Sequence, residues 1–304
     1  MMTLKQLHYA LAVEQTLHFK KAAEACFVSP STLSNALTEL EQQIGIQIFE
    51  RNNKKVIVTA LGKAVLEKAL AIKISTDDIQ KLGKNQDGTL RGPLKVGVIP
   101  TIGPYLLPMV LPAINREYPQ LQLDIVEDQS DVLVEEVRRG DLDLAVLALP
   151  FPLNGLLSFS FWQEDFFWLN HVDSNMAQLA EISASDVEPA SVMLLEDGHC
   201  LKDHALLACQ LSTGSHHSIR ASSLNTLVQL VSGKMGTTLV PQMALNQLLT
   251  ANPLLRKSHL NEPGPHRDIA IIMRPAYTGL KNVEQLKRLF EQQLRQHFSA
   301  EDAN

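Results

Sequence analysis

Phe19-Lys20-Lys21-Ala22-Ala23-Glu24-Ala25-Cys26-Phe27-Val28-Ser29-Pro30-Ser31-Thr32-Leu33-Ser34-Asn35 decides the reading of the amino-terminal part. Lys20–Phe27 is short and rich in small residues, with Ala22, Ala23 and Cys26 on the inner side of a helix. Val28-Ser29-Pro30 interrupts that pattern; Ser29 is a good N-cap, and Pro30 suits a first helical position. Leu33, Leu37, Leu40 and Ile44 then recur at helical spacing, and Gly45 supplies a stop. Upstream, Leu4, Leu7 and Leu11 give a support helix. Two helices joined by a tight turn behind a third form a helix-turn-helix pattern. A plain three-helix core would show the same apolar spacing.

The next residues sharpen the pattern. Ile48–Arg51 and Lys55–Val58 flank Asn52-Asn53-Lys54, a hairpin signal. A basic hairpin here reads as a wing, with Arg51, Lys54 and Lys55 available to phosphate. Thr59 then caps a long helix to about Leu82. Its Leu61, Val65, Ala69, Ile72 and Ile79 form a seam near a heptad period, which predicts helix–helix dimerisation.

The chain has 304 residues, 45% apolar and 20% charged, which fits two or three globular units and excludes a disordered or fibrous chain. Apolar runs such as Leu144–Leu149 are far too short to cross a membrane, and the first residues lack a secretory signal. A soluble cytoplasmic protein without membrane contact is expected. The net charge of −6 is uneven: residues 1–90 hold 11 basic against 9 acidic side chains, and residues 91–304 hold 16 against 24. Any nucleic-acid contact therefore belongs to the first segment.

After a polar linker, Gly83–Gly92, short strands alternate with amphipathic helices. Leu94–Ile99, Leu121–Glu127 and Leu142–Leu149 are strand-like, whereas Tyr105–Glu117 and Val132–Arg139 are helix-like. This βαβ order predicts an α/β unit with a mostly parallel sheet.

The chemistry-bearing stretch is Glu196-Asp197-Gly198-His199-Cys200-Leu201-Lys202-Asp203-His204-Ala205-Leu206-Leu207-Ala208-Cys209. Across nine helical residues the two cysteines would lie about 13.5 Å apart, beyond the roughly 4.4–6.8 Å that a disulfide spans. They could bond only if the segment took up a second structure. His199 and Lys202 flank Cys200, and a helix start favours an anion, so Cys200 reads as the reactive thiol. Cys209 sits among apolar residues, which favours the protonated form. The alternative is that both are small core residues, as is expected of Cys26. His199, His204, His216 and His217 are irregularly spaced, so no metal or other cofactor is expected.

Leu7–Val13, Phe19–Ala23, Val28-Ser29, Thr32-Leu33-Ser34, Leu40-Glu41, Gly45, Phe49-Glu50-Arg51 and Thr59-Ala60-Leu61-Gly62 together resemble the amino-terminal signature of LysR-type transcriptional regulators. One departure is Pro30, where the family commonly has a glutamine that reads a base edge. Base reading then falls to Ser31, Thr32, Ser34 and Asn35, or to DNA shape, with Ser29 and Pro30 at the helix start. The resemblance implies a winged helix-turn-helix over 1–59 and a linker and dimerisation helix with a hinge over 60–90. A two-lobed effector domain like periplasmic binding proteins would follow over 91–304, with lobe I at 91–162 and 268–304 and lobe II at 163–267. It also implies double-stranded operator DNA, a second copy in a dimer or tetramer, and RNA polymerase as partners.

Leu195–Asp203 with Cys209, and Gly97–Pro108, resemble the hydrogen-peroxide-sensing members of that family. That likeness implies that Cys200 is oxidised by hydrogen peroxide and then bonds Cys209. It also implies that Thr101, Ser130, His199 and Asp203 lie around the peroxide. Two other readings stay open: a family member sensing a small metabolite between its lobes, and a thiol peroxidase using Cys200. The regulator reading makes the chain no enzyme.

Overall fold

The computed structural model describes residues 1–52, 55–82, 90–210 and 220–301. They fall into two compact units, Met1–Gln86 and Asp87–Asn304.

In the first unit α1 (Leu4–Thr16) leads to α2 (Phe19–Ala25) and α3 (Pro30–Ile44). Local signals set these bounds. Thr3 and Gln6 cap each other at the start of α1. Ser29 Oγ accepts from the Thr32 N–H at 3.1 Å, and Gly45 closes α3 at φ +67°. Leu33, Leu37 and Leu40 are fully buried with Ala22 and Ala23, so the spaced leucines do form the core. β1 (Phe49–Asn52) pairs antiparallel with β2 (Lys55–Val58), and Asn53 and Lys54 of the expected turn lie outside the described residues. Glu41 Oε1 accepts from the N–H groups of Ile48 (2.7 Å) and Phe49 (3.0 Å), which ties the hairpin to α3.

α4 (Ala60–Leu82) shares part of the expected seam with its own unit. Of the seam read from the sequence, Ala69 is buried, and Val65 and Ile72 pack with Leu66 against this unit's own core. The helix runs against α1, and that contact consumes the middle of the seam. Only Leu61 and Ile79 of the five stay exposed. Residues 83–89 of the expected linker lie outside the described residues.

The second unit starts with β3 (Gly92–Val98), α5 (Gly103–Glu117), β4 (Leu121–Glu127), α6 (Ser130–Arg139), β5 (Leu144–Leu149) and β6 (Leu157–Glu164). β7 (Phe166–His171), β8 (Glu181–Ile182), β9 (Leu194–Leu195), α7 (Cys200–Ala208), β10 (Arg220–Ala221) and α8 (Leu224–Ser232) follow. β11 (Thr238–Pro241), α9 (Leu245–Ala251), β12 (Leu255–Leu260), β13 (Arg267–Met273) and α10 (Leu280–Glu301) complete it.

Two sheets divide these strands. One has the order β4-β3-β5-β13-β6 and the other β11-β7-β12-β8, with β9 and β10 as a separate parallel pair. β3, β4 and β5 are parallel, as the βαβ order predicts, while β13 returns antiparallel between β5 and β6. α6 packs tightly on β3: a Cβ at Gly97 would meet Leu133 Cδ2 and Leu142 Cδ1 at 2.7 Å. The chain crosses between the sheets twice, from Glu164 to Phe166 and just before Arg267. The His266 N–H bonds the Glu164 carbonyl at 3.1 Å, which holds the crossings side by side.

Candidate functional site

Cys200 is the first residue of α7 and is buried. The turn before it depends on Gly198, at φ +97°, where a Cβ would run into the Gln129 side chain. Around the sulfur converge the start of α6 (Ser130), the end of β5 (the Ala148 backbone) and the start of β13 (Arg267). Thr101, just past β3, is buried; its Oγ1 accepts from Arg267 Nη1 at 3.3 Å and its carbonyl from Nη2 at 3.2 Å. Arg267 Nε donates to Glu164 Oε1 at 2.6 Å, and Glu164 Oε2 accepts from the Met243 N–H at 2.7 Å. Both side chains of this ion pair are wholly buried.

Burial pushes the Cys200 thiol up; the Ser130 hydroxyl, the Arg267 guanidinium and a backbone bond from Ala148 oppose the rise, and Asp203 adds to it. Ser130 Oγ meets no full hydrogen-bond geometry, yet lies near enough to the sulfur to favour the thiolate. The cation acting on Cys200 is thus Arg267. Lys202, expected there from its spacing, is held in an ion pair with Asp197. His199 is buried at the N-cap position of α7, without a side-chain cap bond. Asp203 is exposed on the first turn.

Cys209 caps the other end of α7, and both cysteines are free thiols. It lines a cavity of about 290 Å³ with Ala184, Val187, Pro189 and Glu262. Burial and the Glu262 carboxylate push its thiol up to about 12. One turned helix of nine residues stands between the sulfurs, a rise of about 13.5 Å.

His204 lies on the same helix, and its Nε2 is 3.1 Å from the Pro150 carbonyl while Nδ1 is buried without a partner. Burial holds its pKa below the ordinary value. The folded state therefore resists protonation that the unfolded chain accepts. Stability is fully present above about pH 6.5 and is lost as pH falls from there toward the lowered folded value. Urea midpoints are expected to drop between pH 7.5 and 5.5, and His204→Gln is expected to flatten that slope. An unchanged slope in the variant would contradict the assignment.

In the first unit Ser29, Pro30, Ser31, Thr32 and Asn35 are exposed at the start of α3, and Ser34 is half-buried. Lys55 is exposed on β2; the Arg51 side chain and Lys54 lie outside the described residues, as do His216 and His217. No described helix is long and apolar enough to cross a membrane.

Residues 4–63 match the bacterial regulatory helix-turn-helix proteins of the lysR family, and residues 87–295 match the LysR substrate binding domain. The chain belongs to the LysR family. The HTH-type transcriptional regulator EstR of Acinetobacter baylyi is 37% identical over 90% of each chain. A hydrogen peroxide-inducible genes activator of Dickeya chrysanthemi is 31% identical over 97% of each. The solved structure of a full-length OxyR variant from Pseudomonas aeruginosa is 33% identical, covers 95% of both chains and superposes with a TM-score of 0.77. LysR-type proteins are transcriptional regulators rather than enzymes as a class.

Three parts of the site escaped the sequence reading: Arg267, Glu164 and the Gln129–Gly198 contact. A signal existed for the first, since Arg267 leads into the apolar run Ile269–Met273 of β13, where a buried arginine is rare unless paired.

Proposed function

We propose that the chain is a DNA-binding transcriptional regulator that senses hydrogen peroxide through Cys200 and Cys209. The observation that carries this reading is a buried thiol at a helix start, near the Ser130 hydroxyl and a guanidinium that also holds Thr101, with a second thiol one helix away. The likeness to a peroxide-inducible activator and to OxyR supports the oxidant's identity.

In this reading the Cys200 thiolate attacks one peroxide oxygen. The O–O bond breaks, and the other oxygen leaves as hydroxide and takes a proton to become water, which leaves a sulfenic acid on Cys200. Thr101 and Ser130 supply the hydroxyls that align the peroxide, with His199 at the helix start; Arg267 favours the negative charge on sulfur. Asp203, being exposed, serves at the rim. The Cys209 thiolate then attacks the Cys200 sulfur, the S–S bond forms and hydroxide leaves as a second water. Two thiols and one peroxide give a disulfide and two waters. The bond requires α7 to unwind, and the refolded segment alters the arrangement of copies paired through α4, and so the spacing of the recognition helices on DNA. Contact with RNA polymerase belongs to the same proposal.

Because the Cys200 thiol is raised above 9.0, its thiolate fraction near neutrality grows about tenfold per pH unit. The rate of peroxide consumption by Cys200 is expected to climb in that proportion between pH 6.5 and 8.5. A flat profile would mean that the thiol is already ionised. The assignment as a whole is tested by peptide mass mapping after brief, low-dose peroxide: a linked Cys200–Cys209 peptide supports it, and two free thiols refute it.

A further inference from the structure

The turn between α2 and α3 demands a particular conformation at residue 27 but does not demand phenylalanine. The Phe27 N–H bonds the Glu24 carbonyl at 3.1 Å and the Val28 N–H bonds the Ala23 carbonyl at 3.0 Å, a helix ending that needs one left-handed residue. Phe27 fills it at φ +55°. Glycine or asparagine adopts that region with less strain than a bulky side chain. The ring is 96% exposed, so it adds nothing to the packing of its own unit. A strained backbone and a bare aromatic ring at one position are unexplained by folding.

The neighbours of Phe27 indicate what the ring meets. It directly precedes the exposed start of α3, and Lys20 and Lys21 are exposed on α2. The hydroxyls at that start are occupied with one another. Ser29 Oγ lies 2.9 Å from Ser31 Oγ and 2.8 Å from Thr32 Oγ1, and it also accepts the Thr32 N–H. Pro30 has no donor to offer. The Phe27 ring and the Asn35 amide, exposed farther along α3, are the groups there that are not bound up in this set. In the major groove an apolar side chain has one distinctive partner, the 5-methyl group of thymine, while a carboxamide matches the adenine edge. We propose that Phe27 is a specificity-determining residue for DNA, its ring packing on a thymine methyl beside the bases that α3 reads. This rests on the DNA-binding reading above.

The test uses the full chain as wild type, Phe27→Ala and Phe27→Asn. Selection from a random 40-base-pair duplex pool by the wild type defines a preferred duplex, and each of its thymines is then replaced singly by deoxyuridine, which lacks only the methyl. At one position in each half-site the replacement is expected to weaken wild-type binding about fourfold and to leave Phe27→Ala unaffected. Phe27→Ala itself is expected to bind the preferred duplex about tenfold more weakly and to lose the thymine preference. Phe27→Asn is expected to share that loss, while the amides of α2 and α3 keep at least wild-type protection from hydrogen exchange. Identical deoxyuridine profiles for wild type and Phe27→Ala overturn the proposal, as does a Phe27→Ala defect confined to self-association. A wild type that selects no sequence at all would instead overturn the DNA-binding reading on which it stands.

Discussion

Cys200→Ser is expected to lose the response to peroxide completely while binding DNA as the reduced wild type does. The separation follows from the architecture: Cys200 lies in the unit Asp87–Asn304, and the helix-turn-helix in Met1–Gln86. Without the thiolate no sulfenic acid forms, and Cys209 does not replace it: burial and the Glu262 carboxylate push its thiol up to about 12, with none of the opposing groups, Ser130 and Arg267, that favour the thiolate at Cys200. Cys209→Ser is expected to behave differently, accumulating a sulfenic acid on Cys200 that a cyclic diketone traps but that closes no bond. Peptide mass mapping and duplex-binding titrations, reduced and peroxide-treated, read both variants. A linked peptide in Cys200→Ser, or loss of DNA affinity in its reduced form, would count against the roles assigned.

Arg267→Met is expected to do two kinds of damage. It strands the Glu164 carboxylate, which is wholly buried and keeps only the Met243 N–H, so unfolding free energy should fall by about 3–5 kcal/mol. It also removes the cation that favours the Cys200 thiolate and the two bonds that hold Thr101, so peroxide consumption should slow by at least about tenfold. The double variant Arg267→Met, Glu164→Gln separates the effects. Removing both charges restores much of the stability, because no uncompensated ion remains, but the slow reaction persists. Urea denaturation and stopped-flow peroxide kinetics measure the two quantities. Recovery of rate along with stability would mean that Arg267 acts on Cys200 only by keeping the unit folded.

Local chemistry was legible in the sequence wherever a short segment carries its own punctuation. Ser29-Pro30 and Gly45 mark the ends of α3, and the leucines between them are its buried face. The βαβ order marks the parallel part of the first sheet. Residues 153–187 offered no such pattern, because β6 and β7 there belong to different sheets and are followed by single helical turns. The site was half legible. Cys200 and Cys209 stand out by their spacing, but the groups that govern Cys200 arrive from far along the chain. Arg267 is separated from Glu164 by 103 residues and from Thr101 by 166. Lys202 misled because residues two apart on a helix do not share a face, and it pairs instead with Asp197. The seam on α4 was legible only as an apolar face, since periodicity does not say which neighbour covers it: Val65, Ala69 and Ile72 pack within the unit, while Leu61 and Ile79 stay exposed.

The pivotal idea is that α7 keeps the two sulfurs apart and gives way when they join. Hydrogen exchange of the amides from Leu201 to Cys209, followed in the reduced chain and again once the sulfurs are linked, tests it directly. Protected amides before oxidation and freely exchanging ones afterwards are the expected result. Equal protection in both states, with the Cys200–Cys209 bond demonstrably formed, would contradict it.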